Sequence, residues 1–212
     1  MKFPYTKSKT ARIVAIISAV FLPIAVAGAA YLYYARYERR KYLKQIRRVL
    51  FLGDSQTVPN SSYADLVSSA MNWEYNKVAM VGAKTDWILD KYRERIEPYD
   101  AVIVMIGGND VWGTGKADSA IANLSQLKSL ARSRNQTLIF VSPPSKSFYS
   151  TDSTKLSEYN RIGQWMRQNG DLFVDGTAIT SNPSLFASDK LHLNNQGHIN
   201  IAYQFVEALR SA

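Results

Sequence analysis

The sequence predicts an α/β protein, a mostly parallel five-stranded sheet with helices on both faces, preceded by one transmembrane helix. Three observations predict it. Short β-branched or aromatic runs alternate with longer amphipathic stretches beyond Arg48, the pattern of repeated β-α units whose strands are buried on both faces. No charge interrupts the 22 residues from Ile13 to Tyr34. With 212 residues and 46% apolar content, the chain suits one domain with a proper core plus a short appendage.

Taken in order, residues 1–12 form a basic N-terminal segment and residues 13–34 a membrane-spanning helix. A 22-residue helix is roughly 33 Å long at about 1.5 Å per residue, enough to cross a bilayer. Pro23 is tolerable within such a span, and Tyr31, Tyr33 and Tyr34 stand where interfacial aromatics belong. Residues 35–48 are a basic juxtamembrane segment suited to anionic lipid headgroups. A cleaved signal peptide ending near Ala27, Gly28 and Ala29 is the competing reading, although the apolar run continues to Tyr34. A buried core helix is a third, but soluble helices apolar on every face are rare at this size. Four bases precede the span and seven follow it, which by the positive-inside rule leaves the following domain in the cytoplasm.

The globular domain, residues 49–212, has strands expected at 49–52, 77–81, 101–106, 137–141 and 172–174. Helices are expected around 62–71, 86–96, 119–132, 154–167 and 196–209. The Pro- and Ser-rich segment 142–151 reads as a loop over the strand ends.

Charge and composition exclude several functions. The formal net charge is +9, yet residues 1–48 hold eleven Lys and Arg against Glu38 alone, a local +10. The remaining 164 residues carry 15 bases and 16 acids, net −1, so the domain has no electrostatic footprint for nucleic acid. Cysteine is absent, which removes thiolate nucleophiles and zinc-thiolate sites, and no His, Asp and Glu have ligand spacing. No metal or cofactor is expected. Gly113-Thr114-Gly115-Lys116 suggests a phosphate loop, but the upstream glycine spacing is wrong and Ala117 stands where Ser or Thr is required.

In open parallel sheets ligands bind beyond the carboxyl ends of the strands. The residues there are Gly53-Asp54-Ser55-Gln56-Thr57, Gly82 and Gly107-Gly108-Asn109-Asp110, with Asp189-Lys190-Leu191-His192 before the last helix. Acyl transfer by serine needs a nucleophile, a base, a carboxylate to hold the base, and donors for an oxyanion, and these loops can fill every role. In order and type, the four blocks resemble the SGNH (GDSL-type) hydrolase family over roughly residues 47–212. The resemblance implies a three-layer doubly wound, flavodoxin-like sheet and an ester hydrolase. It implies Ser55 as nucleophile, His192 as general base and then acid, and Asp189 as the group orienting the imidazole. The oxyanion hole would comprise the backbone N–H groups of Ser55 and Gly82 and the side-chain amide of Asn109. Gln56 replaces the Leu often found after the serine, and Leu193 stands where Pro is common. Many members act on envelope or extracellular esters, which opposes the orientation given by the positive-inside rule.

Each residue also has a plainer account. Ser55 could be a helix-capping turn serine, and His192 a satisfied structural histidine. His198, the only other histidine, reads as structural, in the first turn of the final helix. Asp54 and Asp110 read as turn-holding carboxylates, and Gly107 as a turn glycine. Trp87, Trp112 and Phe148 fall in expected strand-end loops and could line a pocket or simply pack. The substrates implied are lysophospholipids, short acyl esters or O-acetylated glycans. Acyl transfer to an envelope glycan is an alternative, as is a non-catalytic membrane-bound binding protein.

Overall fold

The computed structural model describes residues 45–144, 151–179 and 182–212, together with Ala30, Tyr31, Tyr33, Tyr34, Tyr37, Lys41 and Leu43. The chain divides into two compact units, Met1–Lys44 and Gln45–Ala212. In the first, the described tyrosines Tyr31, Tyr33, Tyr34 and Tyr37 are exposed. Segment 1–12, nearly all of the expected span 13–34 and much of 35–48 lie outside the described residues. Among the described residues, no helix is long and apolar enough to cross a membrane.

The described residues of the second unit form eleven principal elements. In chain order they are β1 (Arg48–Gly53), α1 (Tyr63–Met71), β2 (Glu74–Ala79), α2 (Thr85–Glu94), β3 (Ala101–Met105), α3 (Gly108–Thr114), α4 (Asp118–Ser133), β4 (Thr137–Val141), α5 (Ser153–Asn169), β5 (Leu172–Val174) and α6 (Asn195–Ser211). Two short 3-10 turns, Gly176–Ile179 and Pro183–Leu185, lie between β5 and α6. All the strands pair in parallel in the order β2-β1-β3-β4-β5. The central strands read RVLFLG, AVIVM and TLIFV because helices cover both their faces.

Alternation divides those strands between two layers. Leu50, Leu52, Val102, Val104, Leu138 and Phe140 join one core cluster with α2, α4 and α5. On the other side α1 packs against α6, and Phe51 meets Tyr63 of α1 edge to face. Each fully buried Val, Leu or Ile removes enough apolar surface from water to stabilise the fold by about 1.5–3 kcal/mol.

Two expectations need correction. The second strand is not 77–81 but Glu74–Ala79, paired Arg48↔Glu74 through Gly53↔Ala79. It is an edge strand whose first three residues are exposed, so polar Glu74, Tyr75 and Asn76 belong to it, while apolar Met80 and Val81 lie exposed in the following loop. Helix α3 falls where the sequence predicts none, because Gly108, Gly113 and Thr114 are poor helix formers. It starts from Gly107 in a left-handed conformation, φ 112°, a geometry glycine adopts without strain.

The parallel register fixes where chemistry can happen. Gly53 lies opposite Ala79 on one side and Met105 on the other, so the loops leaving β1, β2 and β3 start side by side. The chain steps outward from β1 to β2 and then back across to β3. That reversal of direction opens a crevice at the carboxyl ends of β1 and β3.

Candidate active site

The turn after β1 is tight. Both Thr57 and Val58 donate their N–H to the Asp54 carbonyl, at 2.9 and 3.2 Å, and Asp54 Oδ1 accepts the Gln56 N–H at 3.0 Å. A Cβ on Gly53 would lie 2.0 Å from Thr57 Oγ1, so only glycine lets the chain fold back this closely. The turn presents Ser55, half-buried, at the crevice.

The segment before α6 supplies the other partners. Asp189 Oδ1 accepts the N–H groups of Leu191 and His192, at 2.9 and 3.0 Å, curling the chain back on itself. Lys190 takes a left-handed conformation, φ 58°, to close that curl. Asp189 Oδ2 then meets His192 Nδ1 at 2.6 Å, and His192 Nε2 lies 2.9 Å from Ser55 Oγ. The hydrogen bond from the imidazole, with those from the two backbone N–H groups, holds the Asp189 carboxyl down at about 2. It stays ionised at neutral pH, as a group orienting an imidazole must.

Gln56 ties the two segments together, a role that reading the sequence misses. Its Nε2 donates to the Leu191 carbonyl at 2.9 Å and its Oε1 accepts the Leu193 N–H at 3.1 Å, gripping the backbone on both sides of His192. The available signal is the departure itself: a polar side chain where the resembled family often has Leu.

Asn109 sits in the first turn of α3. Its Nδ2 donates to the Ala83 carbonyl at 2.9 Å and makes a long contact with Asp54 Oδ2 at 3.4 Å. Gly82 has φ 76°, and among the described residues a Cβ there would meet nothing within 4 Å. The N–H groups of Ser55 and Gly82 have no protein partner among the described residues. The side chains of Ser55, His192, Asp189, Gln56, Asp54 and Asn109 thus form one connected constellation, with Gly82 in the loop whose Ala83 holds Asn109.

Two buried carboxylates support it. Burial pushes Asp54 up to about 6, opposed by its bond from Gln56 and by the nearby His192. Burial also raises Asp110, which accepts from the N–H and hydroxyl of Thr85 and so fastens the start of α2 to α3 rather than holding its own turn. His198 lies away from the site, buried, its Nδ1 accepting the Tyr63 N–H at 3.3 Å. Trp87 packs partly buried against the core from α2, whereas Trp112 is exposed on α3. Phe148 lies outside the described residues. Among the described residues, no group of three or more His, Asp or Glu could hold a metal ion.

Residues 51–198 match the GDSL-like Lipase/Acylhydrolase family. The chain belongs to that family. It is a serine hydrolase acting on ester bonds. Similar solved structures show the same fold for this hydrolase. An acetylxylan esterase from Geobacillus stearothermophilus is 21% identical with a TM-score of 0.63, covering 77% of this chain and 94% of its own. An alpha/beta hydrolase from the metagenome of Lake Arreo, Spain, is 18% identical with a TM-score of 0.66, covering 80% and 98%. A putative GDSL-like lipase from Parabacteroides merdae is 15% identical with a TM-score of 0.59, covering 78% and 96%. No curated protein sequence matches the chain.

Proposed function

We propose that the hydrolase is a membrane-tethered esterase that cleaves small carboxylic esters through an acyl-Ser55 intermediate. The observation that carries this reading is the unbroken chain of contacts from Asp189 Oδ2 through His192 to Ser55 Oγ, 2.6 and 2.9 Å long. Ser55 Oγ attacks the ester carbonyl carbon as its proton passes to His192 Nε2. The carbonyl oxygen, now negative, takes hydrogen bonds from the N–H groups of Ser55 and Gly82. It takes a third from Asn109, whose long contact with Asp54 is the weaker of its two and the one to be exchanged. Collapse of the intermediate breaks the C–O bond, and the departing alcohol leaves with the proton from His192. Water then attacks the acyl-serine, gives its proton to His192, and the acid is released as Ser55 regains its hydrogen. Asp189 holds the imidazole in the tautomer that points Nε2 at the serine.

Substrates consistent with this site are short acyl esters, O-acetylated glycans and lysophospholipids, with Val58, Met80 and Val81 exposed at the neighbouring loops to meet an acyl group. Transfer of the acyl group to a glycan hydroxyl instead of water uses the same steps, and product analysis with and without an acceptor glycan separates the two. The tether is the uncharged run 13–34 with its basic flanks, so the full chain is expected in the membrane fraction after alkaline carbonate extraction. Release into the soluble fraction would remove the anchor from the proposal.

Ser55→Ala tests the chemistry. It should lower kcat on p-nitrophenyl acetate by on the order of 10⁶ while leaving the circular dichroism spectrum unchanged. Undiminished turnover in that variant excludes the mechanism.

A further inference from the structure

Gln56, one residue past Ser55, is 3% exposed, and its side-chain amide is bonded to the backbone around the imidazole. Nε2 donates to the Leu191 carbonyl at 2.9 Å, and Oε1 accepts the Leu193 N–H at 3.1 Å. These two groups bracket a single residue, His192. The backbone groups between them are bonded too. Asp189 Oδ1 accepts the N–H groups of Leu191 and His192, and the His192 carbonyl accepts the Ala187 N–H at 2.8 Å. The main chain under the imidazole is therefore held at every donor and acceptor from the Leu191 N–H to the Leu193 N–H, and Gln56 supplies the hold on both flanks.

Burial does not supply that hold. The His192 and Asp189 side chains are 37% and 49% exposed, and their segment, between the second 3-10 turn and α6, is irregular. A ring this open to water is not fixed by packing alone to within the roughly 0.5 Å that catalysis demands of its groups. Gln56 acts from the nucleophile's own turn, since it directly follows Ser55 and its N–H is tied to Asp54 Oδ1 at 3.0 Å. The bond to Leu193 is buried at both ends, because Leu193 is 6% exposed. Without an acceptor at 56, the Leu193 N–H is stranded away from water; without an N–H at 193, Oε1 is stranded instead. Removing both ends together strands neither.

We propose that Gln56 and Leu193 are a coupled pair that positions the base: Gln56 sets where the His192 ring meets Ser55 Oγ, and the Leu193 N–H keeps Gln56 in place to do so. The inference rests on the ester hydrolysis at Ser55 proposed above and adds two positioning residues to it. Proline alone among the amino acids lacks a backbone N–H, so Leu193→Pro deletes one end of the bond and Gln56→Leu the other. Whatever the proline ring costs the segment by itself is common to both proline variants and cancels in the comparison between them.

The test compares the full chain with Gln56→Leu, Leu193→Pro and Gln56→Leu/Leu193→Pro. It measures kcat and KM on p-nitrophenyl acetate, urea denaturation, and the proton NMR resonance of the hydrogen between Asp189 and His192. Each single variant should lose about tenfold in kcat with KM within about twofold, and its resonance should broaden or move. The double variant should keep about a tenth of the unaltered kcat, where independent effects would leave about a hundredth. Independent effects overturn the inference. So does a Gln56→Leu protein that is less stable in urea yet unchanged in kcat and in the resonance, which is the outcome of a merely structural role. If neither proline variant folds, Gln56→Leu decides alone: lower kcat at constant KM with an altered resonance supports the pair, and unaltered kcat overturns it. Ser55→Ala keeps the two proposals apart. If it abolishes hydrolysis while the two substitutions act independently, only the positioning pair fails; if hydrolysis survives it, the esterase mechanism itself fails.

Discussion

Replacing Asp54 with Asn should stabilise the protein at pH 8 and leave it little changed at pH 4. Asp54 is 4% exposed, and burial lifts its carboxyl from 3.8 to about 6. The folded protein therefore holds a proton there more tightly than the unfolded chain does. Stability from this group is fully present below about 3.8 and is lost as pH rises through about 6. A shift of roughly two units at about 1.4 kcal/mol each puts the cost of the ionised group near 3 kcal/mol at pH 8. The amide introduced by Asp54→Asn can still accept the Gln56 N–H, but its NH₂ would face the Asn109 amide donor to donor, losing about 1 kcal/mol. The net gain expected is about 2 kcal/mol at pH 8, a large share of a typical stability of roughly 5–15 kcal/mol. Urea denaturation of both proteins at pH 4 and pH 8 measures it. The same variant should turn over ester more slowly, because the Asp54 charge favours the imidazolium that the proposed mechanism forms at His192. A stability difference equal at the two pH values, or a variant less stable at pH 8, refutes the reasoning.

Other expectations follow from neighbouring features. Gln56→Leu strips the partners from the Leu191 carbonyl and the Leu193 N–H, at about 1–3 kcal/mol for each group left unsatisfied. Since those bonds flank His192, the base in the proposed mechanism, kcat on p-nitrophenyl acetate should fall by about tenfold with a smaller change in KM. Gly53→Ala forces a methyl to within 2.0 Å of Thr57 Oγ1 and 3.1 Å of the Met105 carbonyl, so urea melts should show a loss of about 1–3 kcal/mol or more. Buried His198 resists protonation until about 4, so the folded state binds fewer protons than the unfolded state between there and 6.5. Its contribution is lost as pH falls through that window, and His198→Asn should gain on the unaltered protein by up to about 3 kcal/mol between pH 7 and pH 4 in the same assay.

Residues buried on both faces are the most legible in the sequence. The runs Val49–Leu52, Ala101–Ile106 and Thr137–Val141 are apolar because helices cover them twice, and that pattern survives without any knowledge of neighbours. The second strand escapes the same reading because an edge strand answers to solvent on its open side, and there Glu74 and Asn76 are as suitable as Val. Helix α3 is hidden for a related reason. Its glycines oppose helix formation locally, and a left-handed Gly107 with anchoring from Thr85 to Asp110 overrides them. At the site, the order of short motifs names the residues that converge. Gln56 cannot be read the same way, since its role depends on backbone groups 135 and 137 residues away.

That separation has a consequence for how the enzyme comes into being. The hydroxyl lies in the turn after the first strand and the imidazole in a segment just before the last helix, and Gln56 joins the two. A chain clipped ahead of Asp189 lacks both groups that line up behind the Ser55 hydroxyl, so the mechanism proposed above predicts it inert toward esters whatever else of it folds. On that mechanism, competence waits for the far end of the domain to be made.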